Sequence, residues 1–414
     1  MKNKNRLSSK KIMIGNFVVV SLIAIVLLSV FIFNKKNQSG EEESIQEAAV
    51  EENVSTEKVS EKVSKEVSKE TVSEEKENKD AEESVSEEDK LMEYLSKDLT
   101  GNEKKLGITL ESRKAFVEKY GVIEYEIGLH IAPNMLFYNE GNNGTVSDSD
   151  TDMYKDDYQI ETIEIESTKE DGYIIPADYV TNGDYNRDTV ILVHGAGENR
   201  RKLYWRTTMF LNLGYNVLQY DQRTCGDSKA TYCAYGFLEQ YDLYDCIKYV
   251  KSKAKDDIKI AAFGSSQGGA TIIQALNNSE ITETIDVAIL DCPVISQVDL
   301  LIPGIKAECP VEYQDIALDS YFDFLEYFFG FDRNKNQHED LAKDIDTPIL
   351  MFISEKDEIL NVNDQKDYYE KLQYDKKYLF VSDSAKHCCI AADHEAEYED
   401  LTKRALTGEL FGEK

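Results

Sequence analysis

Apolar and polar positions alternate in three different ways along this 414-residue chain, and each regime predicts a different kind of structure. From Ile12 to Phe33 the run IMIGNFVVVSLIAIVLLSVFIF carries no charge. As a helix its 22 residues would span roughly 33 Å, the thickness of a bilayer core. A cleaved signal peptide is the competing reading. Its apolar stretch would be shorter and would end in small residues, whereas this run ends FIFNKKNQ. Lys2, Lys4, Arg6, Lys10 and Lys11 precede the span and only Lys35 and Lys36 follow it closely, so the charge bias puts the N-terminus in the cytoplasm and the rest outside. Residues 1–40 are therefore expected to be a single-pass anchor in the cell membrane.

Residues 41–90 show no periodicity that one face could use. Val54, Val59, Val63, Val67 and Val72 drift around a helix instead of holding a three-four seam. The segment has no proline, no aromatic residue, and 19 acidic residues against 7 lysines, a net charge of −12. Such a composition cannot bury enough apolar surface to offset the entropy of ordering. It is expected to be a solvated spacer, with a weak coiled coil as the alternative.

The remainder, residues 91–414, is long enough for a large core. Apolar runs alternate with helical patterns, the signature of a parallel sheet covered on both faces. Strands are predicted at 162–167 and 172–180 as an opening hairpin, then at 189–195, 215–221, 258–264, 287–293, 348–357 and 377–383. Helices are predicted over LYWRTTMFLNLG, FLEQYDLYDCIKYVKSKA and GGATIIQALNN. The fold class is α/β. Residues 91–160 read as a helical extension containing LESRKAFVEKYGVIEYEIGL and APNMLFY. An apolar insert at about 295–346, with Tyr321, Phe322, Phe324, Leu325, Tyr327, Phe328 and Phe329, reads either as a small helical cap over the site or as ordinary helix-on-sheet packing.

The chemistry lies in IKIAAFG-SS-QGGATIIQAL, a strand, a glycine-bounded turn and a helix. Only Gly264-Ser265-Ser266-Gln267-Gly268 fits the G-x-S-x-G elbow, and it makes Ser266 the nucleophile. A serine hydroxyl needs a base, and the base an orienting carboxylate. PILMFISEKDEIL ends a later strand with Asp357, and Glu355 is its rival; KYLFVSDSAKHCC ends the next with His387. Of five histidines, His130 and His194 precede the elbow, His338 sits in a polar stretch and His394 falls near the start of the closing helix, which leaves His387 as the base. Backbone amides of Gln267, at a helix N-terminus, and of Ala196, in the loop HGAGENRR, are the expected oxyanion donors. The His194 side chain is expected to shape that loop.

Together VHGAGENR, NVLQYDQRTCGDS, FGSSQGGA, ISEKDEIL and SAKH resemble the α/β-hydrolase superfamily, in particular bacterial membrane-anchored or secreted serine hydrolases similar to the prolyl-oligopeptidase and acyl-esterase catalytic core. The resemblance covers roughly residues 160–410. It implies an α/β-hydrolase fold with a mostly parallel eight-stranded sheet over 161–414, and a Ser266, Asp357, His387 triad. Asp221, Arg223, Gly226 and Ser228 stand in register with a family motif. Cys225 departs from the histidine common there, and Cys388 and Cys389 from the small residues usual after the catalytic histidine.

No cofactor and no metal are expected. The aspartates of DSDTDMYKDD start like a calcium loop, but Met153 and Gln159 stand where glycine and glutamate would be needed. With −27 of the net −32 on residues 91–414, nucleic acid is disfavoured as a partner. Seven cysteines, an odd number, all fall on the external side; a Cys225–Cys233 bridge and a fully reduced state both remain open, and Cys388 reads as an inert thiol. The expected partner is a small-molecule or peptide acyl substrate, cleaved as an ester, thioester or amide through an acyl-enzyme. A peptidase of the same fold and a catalytically silent binding module are the alternatives.

Overall fold

The computed structural model describes residues 86–137, 144–170, 172–296, 300, 304–305, 309–333 and 338–412. The expected membrane span at 12–33 and nearly all of the acidic spacer lie outside them. Among the described residues no helix is long and apolar enough to cross a membrane. Residues 1–97 and 98–414 form two separate units. In the first, helix α1 (Glu87–Ser96) starts before the expected boundary at 91, where Ser86 and Asp89 cap it reciprocally.

The second unit is built on one eight-stranded sheet, ordered β1 (Gln159–Glu166), β2 (Ile174–Thr181), β4 (Asn216–Tyr220), β3 (Thr189–Val193), β5 (Ile260–Ser265), β6 (Val287–Asp291), β7 (Ile349–Ser354) and β8 (Lys377–Ser382). The first two strands form the expected antiparallel hairpin, with Gln159 opposite Thr181 and Glu166 opposite Ile174. From β4 to β8 every pairing is parallel. This is the α/β-hydrolase sheet expected from the sequence.

Strand β3 shows how the period of two sorts side chains between two cores. Ile191 and Val193 pack with Leu243, Ile247 and Val250 of α5 (Glu239–Lys253) and with Ile272 and Ile273 of α6 (Gln267–Leu276). Val190 and Leu192 face the other way, onto Met209 and Phe210 of α4 (Tyr204–Asn212) and Tyr398 and Leu401 of α9 (Glu395–Leu406). Central strands β3, β5, β6 and β7 are buried throughout, which explains why they read as unbroken apolar runs.

The apolar insert and the N-terminal extension meet each other. Helices α2 (Leu110–Tyr120) and α3 (Val122–Leu136) come from the extension and α7 (Val311–Phe329) from the insert. Phe116 stacks on Phe328 with ring centroids 5.4 Å apart and meets Tyr327 edge-on at 5.2 Å. Phe324 packs so tightly on Gly128 that a β-carbon there would lie 2.5 Å from the Phe324 Cβ. Beneath them the buried Glu103 accepts from Arg113 at 3.1 Å and from the Tyr125 hydroxyl at 2.5 Å. The Cys233 amide donates to the Leu136 carbonyl at 2.9 Å and ties α3 to the loop after β4. The sequence showed two apolar helical segments but not that each is the other's partner.

Gly128 sets the distance between α3 and α7. Gly128→Val is expected to lower unfolding free energy by about 1–3 kcal/mol in urea titrations, because the added carbons must displace a packed aromatic ring. Gly101→Ala, where nothing lies within 4 Å of the new carbon, should stay within about 0.5 kcal/mol of the parent.

Candidate active site

Strand β5 must turn into α6 almost without a loop, and the backbone shows how. Ser266 adopts φ 50° and ψ −115°, a conformation that residues other than glycine rarely take. Its amide donates to the Asp291 carbonyl at 3.0 Å, and its carbonyl accepts from Val294 at 3.0 Å and Gly269 at 2.9 Å. A β-carbon at Gly264 would fall 2.5 Å from the Gly268 carbonyl oxygen, and one at Gly268 only 2.0 Å from that of Val193. Both glycines are therefore required by close backbone approach. Between residues 260 and 276, Ser266 alone is not buried, whereas Ser265 points into the sheet. Of the two serines, only Ser266 is partly exposed.

The loop after β3 lies against it. A β-carbon at Gly195 would reach the Ser266 Cβ at 3.4 Å. His194 is fixed by its neighbours: Nε2 accepts from the Gln222 amide at 3.0 Å, so Nδ1 carries the proton and donates to the Gly195 carbonyl at 2.7 Å. This is the loop-shaping role expected. Glu198, which the sequence gave no reason to single out, accepts the Gly195 amide at 2.9 Å. The half-buried Ala196 keeps an amide without a partner among the described residues. Gln267 is buried as the first residue of α6, at the positive end of the helix dipole.

Asp357 follows β7 and His387 follows β8. His387 Nδ1 lies 2.7 Å from Asp357 Oδ2, while Asp357 Oδ1 accepts the amides of Ile359 at 2.9 Å and Leu360 at 2.8 Å. Burial alone would raise the Asp357 pKa, but these hydrogen bonds outweigh it and hold the carboxyl below its ordinary value. Glu355, the rival, pairs instead with Lys366 at 3.0 Å on the surface. His394 sits at the N-terminal end of α9, with its ring against Ser382 and Ser384. The Glu358 carboxylate accepts the His387 amide at 3.1 Å.

The second partner of the His387 ring is the Cys292 thiol; the structure has no hydrogen bond between the ring and the Ser266 hydroxyl. Burial disfavours the charged ring, but Asp357 and Cys292 prevail and lift its pKa to about 10. Cys292 is itself lowered, first by a hydrogen bond with Cys388, then, against the effect of burial, by His387. Register explains the encounter: Ser265 pairs with Asp291, so Ser266 and Cys292 leave adjacent strands side by side. Nothing in the LDCP run of the sequence signalled the place of Cys292.

Buried ion pairs fasten this rim. Arg206 of α4 donates through Nη2 to Asp291 at 2.8 Å and to the Cys388 carbonyl at 3.0 Å, and the Tyr398 hydroxyl donates to the same Asp291 oxygen at 3.0 Å. In the YDQRTCGDS motif, Asp221 pairs with Arg200 and accepts the amides of Arg200 at 2.7 Å and Asp227 at 2.8 Å. A β-carbon at Gly226 would lie 2.3 Å from that carboxyl carbon. Arg223, wholly buried, spans Asp242 at 2.8 Å and Glu170 at 2.6 Å, and Ser228 meets the Tyr173 hydroxyl at 3.0 Å. The motif therefore holds the loop, and none of these hydrogen bonds reaches Ser266, Asp357 or His387.

Asp148 pairs with Arg201 at 2.6 Å, Asp150 with Lys202 at 2.9 Å and Asp152 with Lys155. All seven cysteines are free thiols, Cys225 and Cys233 included. A cavity of about 220 Å³ opens among Tyr215, Ile260, Asp286, Val287, Pro348 and Phe411, at the amino ends of β5, β6 and β7, opposite the rim that carries the chemistry.

A family model described as "Serine aminopeptidase, S33" matches residues 184–311. The chain is 25% identical over 284 residues, 68% of its length and 92% of the relative's, to YqkD of Bacillus subtilis (strain 168), described as uncharacterized. It is similar to the Pyrococcus furiosus esterase Pf2001, with a TM-score of 0.49 and 22% identity over 64% of this chain and 96% of that one. It is also similar to a cold-adapted esterase from an Arctic intertidal metagenomic library, with a TM-score of 0.41 and 14% identity over 60% and 95% of the two chains. The matched segment runs from the strand that carries the HGAGENRR loop through the Ser266 elbow, and with the sheet order around it this is consistent with the α/β-hydrolase superfamily.

Proposed function

We propose that the protein is a serine hydrolase that cleaves a carboxylic ester, thioester or amide, tethered to the cell membrane by residues 12–33 with its catalytic unit outside the cell. The observation that supports it most is the pairing of a solvent-reaching hydroxyl at the Ser266 elbow with the His387–Asp357 hydrogen bond at the same rim of the sheet. In this reading the His387 ring turns from Cys292 to the neighbouring Ser266 as substrate enters; catalytic hydrogen bonds commonly tighten only in the substrate complex. Ser266 Oγ attacks the carbonyl carbon while His387 Nε2 takes its proton, and Asp357 holds Nδ1–H so that Nε2 is the accepting nitrogen. The amides of Ala196 and Gln267 stabilise the oxyanion. His387 returns the proton to the leaving group, and water, deprotonated by the same ring, releases the acyl group from Ser266.

A fluorophosphonate probe should label the parent protein and leave Ser266→Ala unlabelled. With p-nitrophenyl esters of graded chain length, Ser266→Ala should lose on the order of 10⁴-fold or more in kcat/KM, and Asp357→Asn roughly 10⁴-fold. Folded parent protein that neither labels nor hydrolyses any ester or amide would favour the binding module.

Only the neutral ring can accept the serine proton. Since the folded-state pKa of His387 is raised to about 10, kcat/KM in EDTA-containing buffer should climb with pH on a limb well above the ordinary histidine value. Cys292→Ala removes one of the groups that favour the charged ring and should move that limb toward acid. The linkage to stability has the opposite sense: a raised pKa stabilises the fold below the ordinary histidine value, and that contribution disappears as pH rises through the folded value. An acid limb at the same pH in parent and Cys292→Ala proteins would contradict the assignment.

A further inference from the structure

The Cys292 and Cys388 thiols and the His387 ring have no combined role in the triad, yet their ligand atoms all lie within 4.8 Å of one another. A tetrahedral zinc ion, with bonds of about 2.3 Å to sulfur and about 2.0 Å to nitrogen, places neighbouring ligand atoms about 3.5–3.8 Å apart. Small side-chain rotations bring this trio to that spacing. Three features prepare it. With Nδ1 bound to Asp357 at 2.7 Å, Nε2 is the nitrogen left for a metal, in the carboxylate–histidine–metal arrangement that fixes the ring and raises its basicity. The Cys388 amide approaches the Cys292 sulfur at 3.4 Å and so faces the charge of a thiolate. Both cysteines have positive φ, 46° at Cys292 immediately after β6 and 54° at Cys388 in the loop of His387, where the Cys388 thiol lies 3.6 Å from the Asp291 carbonyl, beside Cys292. Charges around the trio leave room for a dication: Arg206 is engaged by Asp291, and two thiolates with a neutral imidazole cancel the charge of the metal.

We infer that Cys292, Cys388 and His387 form a zinc site whose occupation switches the enzyme off. The inference deepens the proposed function, on which its inhibitory part rests. Binding is balanced as one Zn²⁺ displacing to solvent the protons carried by the two sulfur atoms and, while the His387 ring is charged, its Nε2 proton as well, which leaves two thiolates and a neutral imidazole on the metal. The metal occupies Nε2, the atom that would accept the serine proton, so a loaded site cannot activate Ser266. Thiolate and imidazole donors suit zinc over magnesium or calcium, and three protein ligands leave the fourth position to solvent.

The test uses the full chain, reduced with a phosphine and freed of metal, titrated anaerobically with Co²⁺ as a spectroscopic probe. One equivalent should produce sulfur-to-cobalt charge-transfer absorption in the near ultraviolet and tetrahedral visible bands, both removed by Zn²⁺. Cys388→Ala and Cys292→Ala should each weaken binding at least about tenfold, the lower end of what even an outer-shell change costs. Ester hydrolysis should fall with added Zn²⁺ and return with EDTA. In Cys388→Ala the half-inhibiting concentration, taken relative to that variant's own metal-free rate, should rise at least about tenfold. Absence of charge-transfer bands in the parent, bands unchanged in either cysteine variant, or formation of a Cys292–Cys388 disulfide in place of metal uptake would each overturn the inference. Cobalt binding without esterase activity would leave the site standing and remove the hydrolase reading; activity without cobalt binding would do the reverse.

Discussion

The chain reverses from β5 into α6 in a space that admits no side-chain carbon at Gly264 or Gly268, whose added atoms would overlap carbonyl oxygens of Gly268 and Val193. This contact between the start of a helix and the end of the neighbouring strand sets the rest of the rim. It leaves Ser266 as the residue that reaches solvent. It also draws the Ser266 amide onto the Asp291 carbonyl, and so fixes where β6 ends and where Cys292 must turn. From Asp291 the ties continue through Arg206 and Tyr398 to the loop of His387. A packing constraint on two glycines thus determines the position of groups contributed by four strands.

Much of this was legible in the sequence because the relevant signals are local. Buried central strands read as apolar runs, and the elbow announces itself by glycines at fixed offsets from a serine. His387 emerged by elimination among few histidines. Asp357 was preferred to its rival Glu355, which follows the same strand; the structure adds the Ile359 and Leu360 amides, which hold the aspartate, and Lys366, which holds the glutamate outside. Cys292 was invisible for the opposite reason. Its neighbour Cys388 stands 96 residues away, and only the strand order brings them together. Pairing of the extension with the insert is non-local in the same sense, because aromatic residues at helical spacing show that a face will be buried and not against what.

Charge is handled differently inside and outside this unit. Arg200 and Arg223 are buried, and Arg206 half-buried, against the carboxylates of Asp221, Asp242 and Asp291, and each pair joins separate segments of the chain. Such pairs add little net stability over apolar packing, but removing one partner leaves a stranded charge. They serve to locate loops: one holds the loop after β3, one the histidine loop, one the bend after β4.

The backbone of Ser266 carries a further implication. Its φ of 50° and ψ of −115° are easily reached by glycine and poorly by serine, so the native residue keeps the fold less stable than it could be. Selection for thermal tolerance alone would drive position 266 toward glycine and erase the hydroxyl. Under the proposed function, serine is kept at this position for its reactivity and against the interest of the fold.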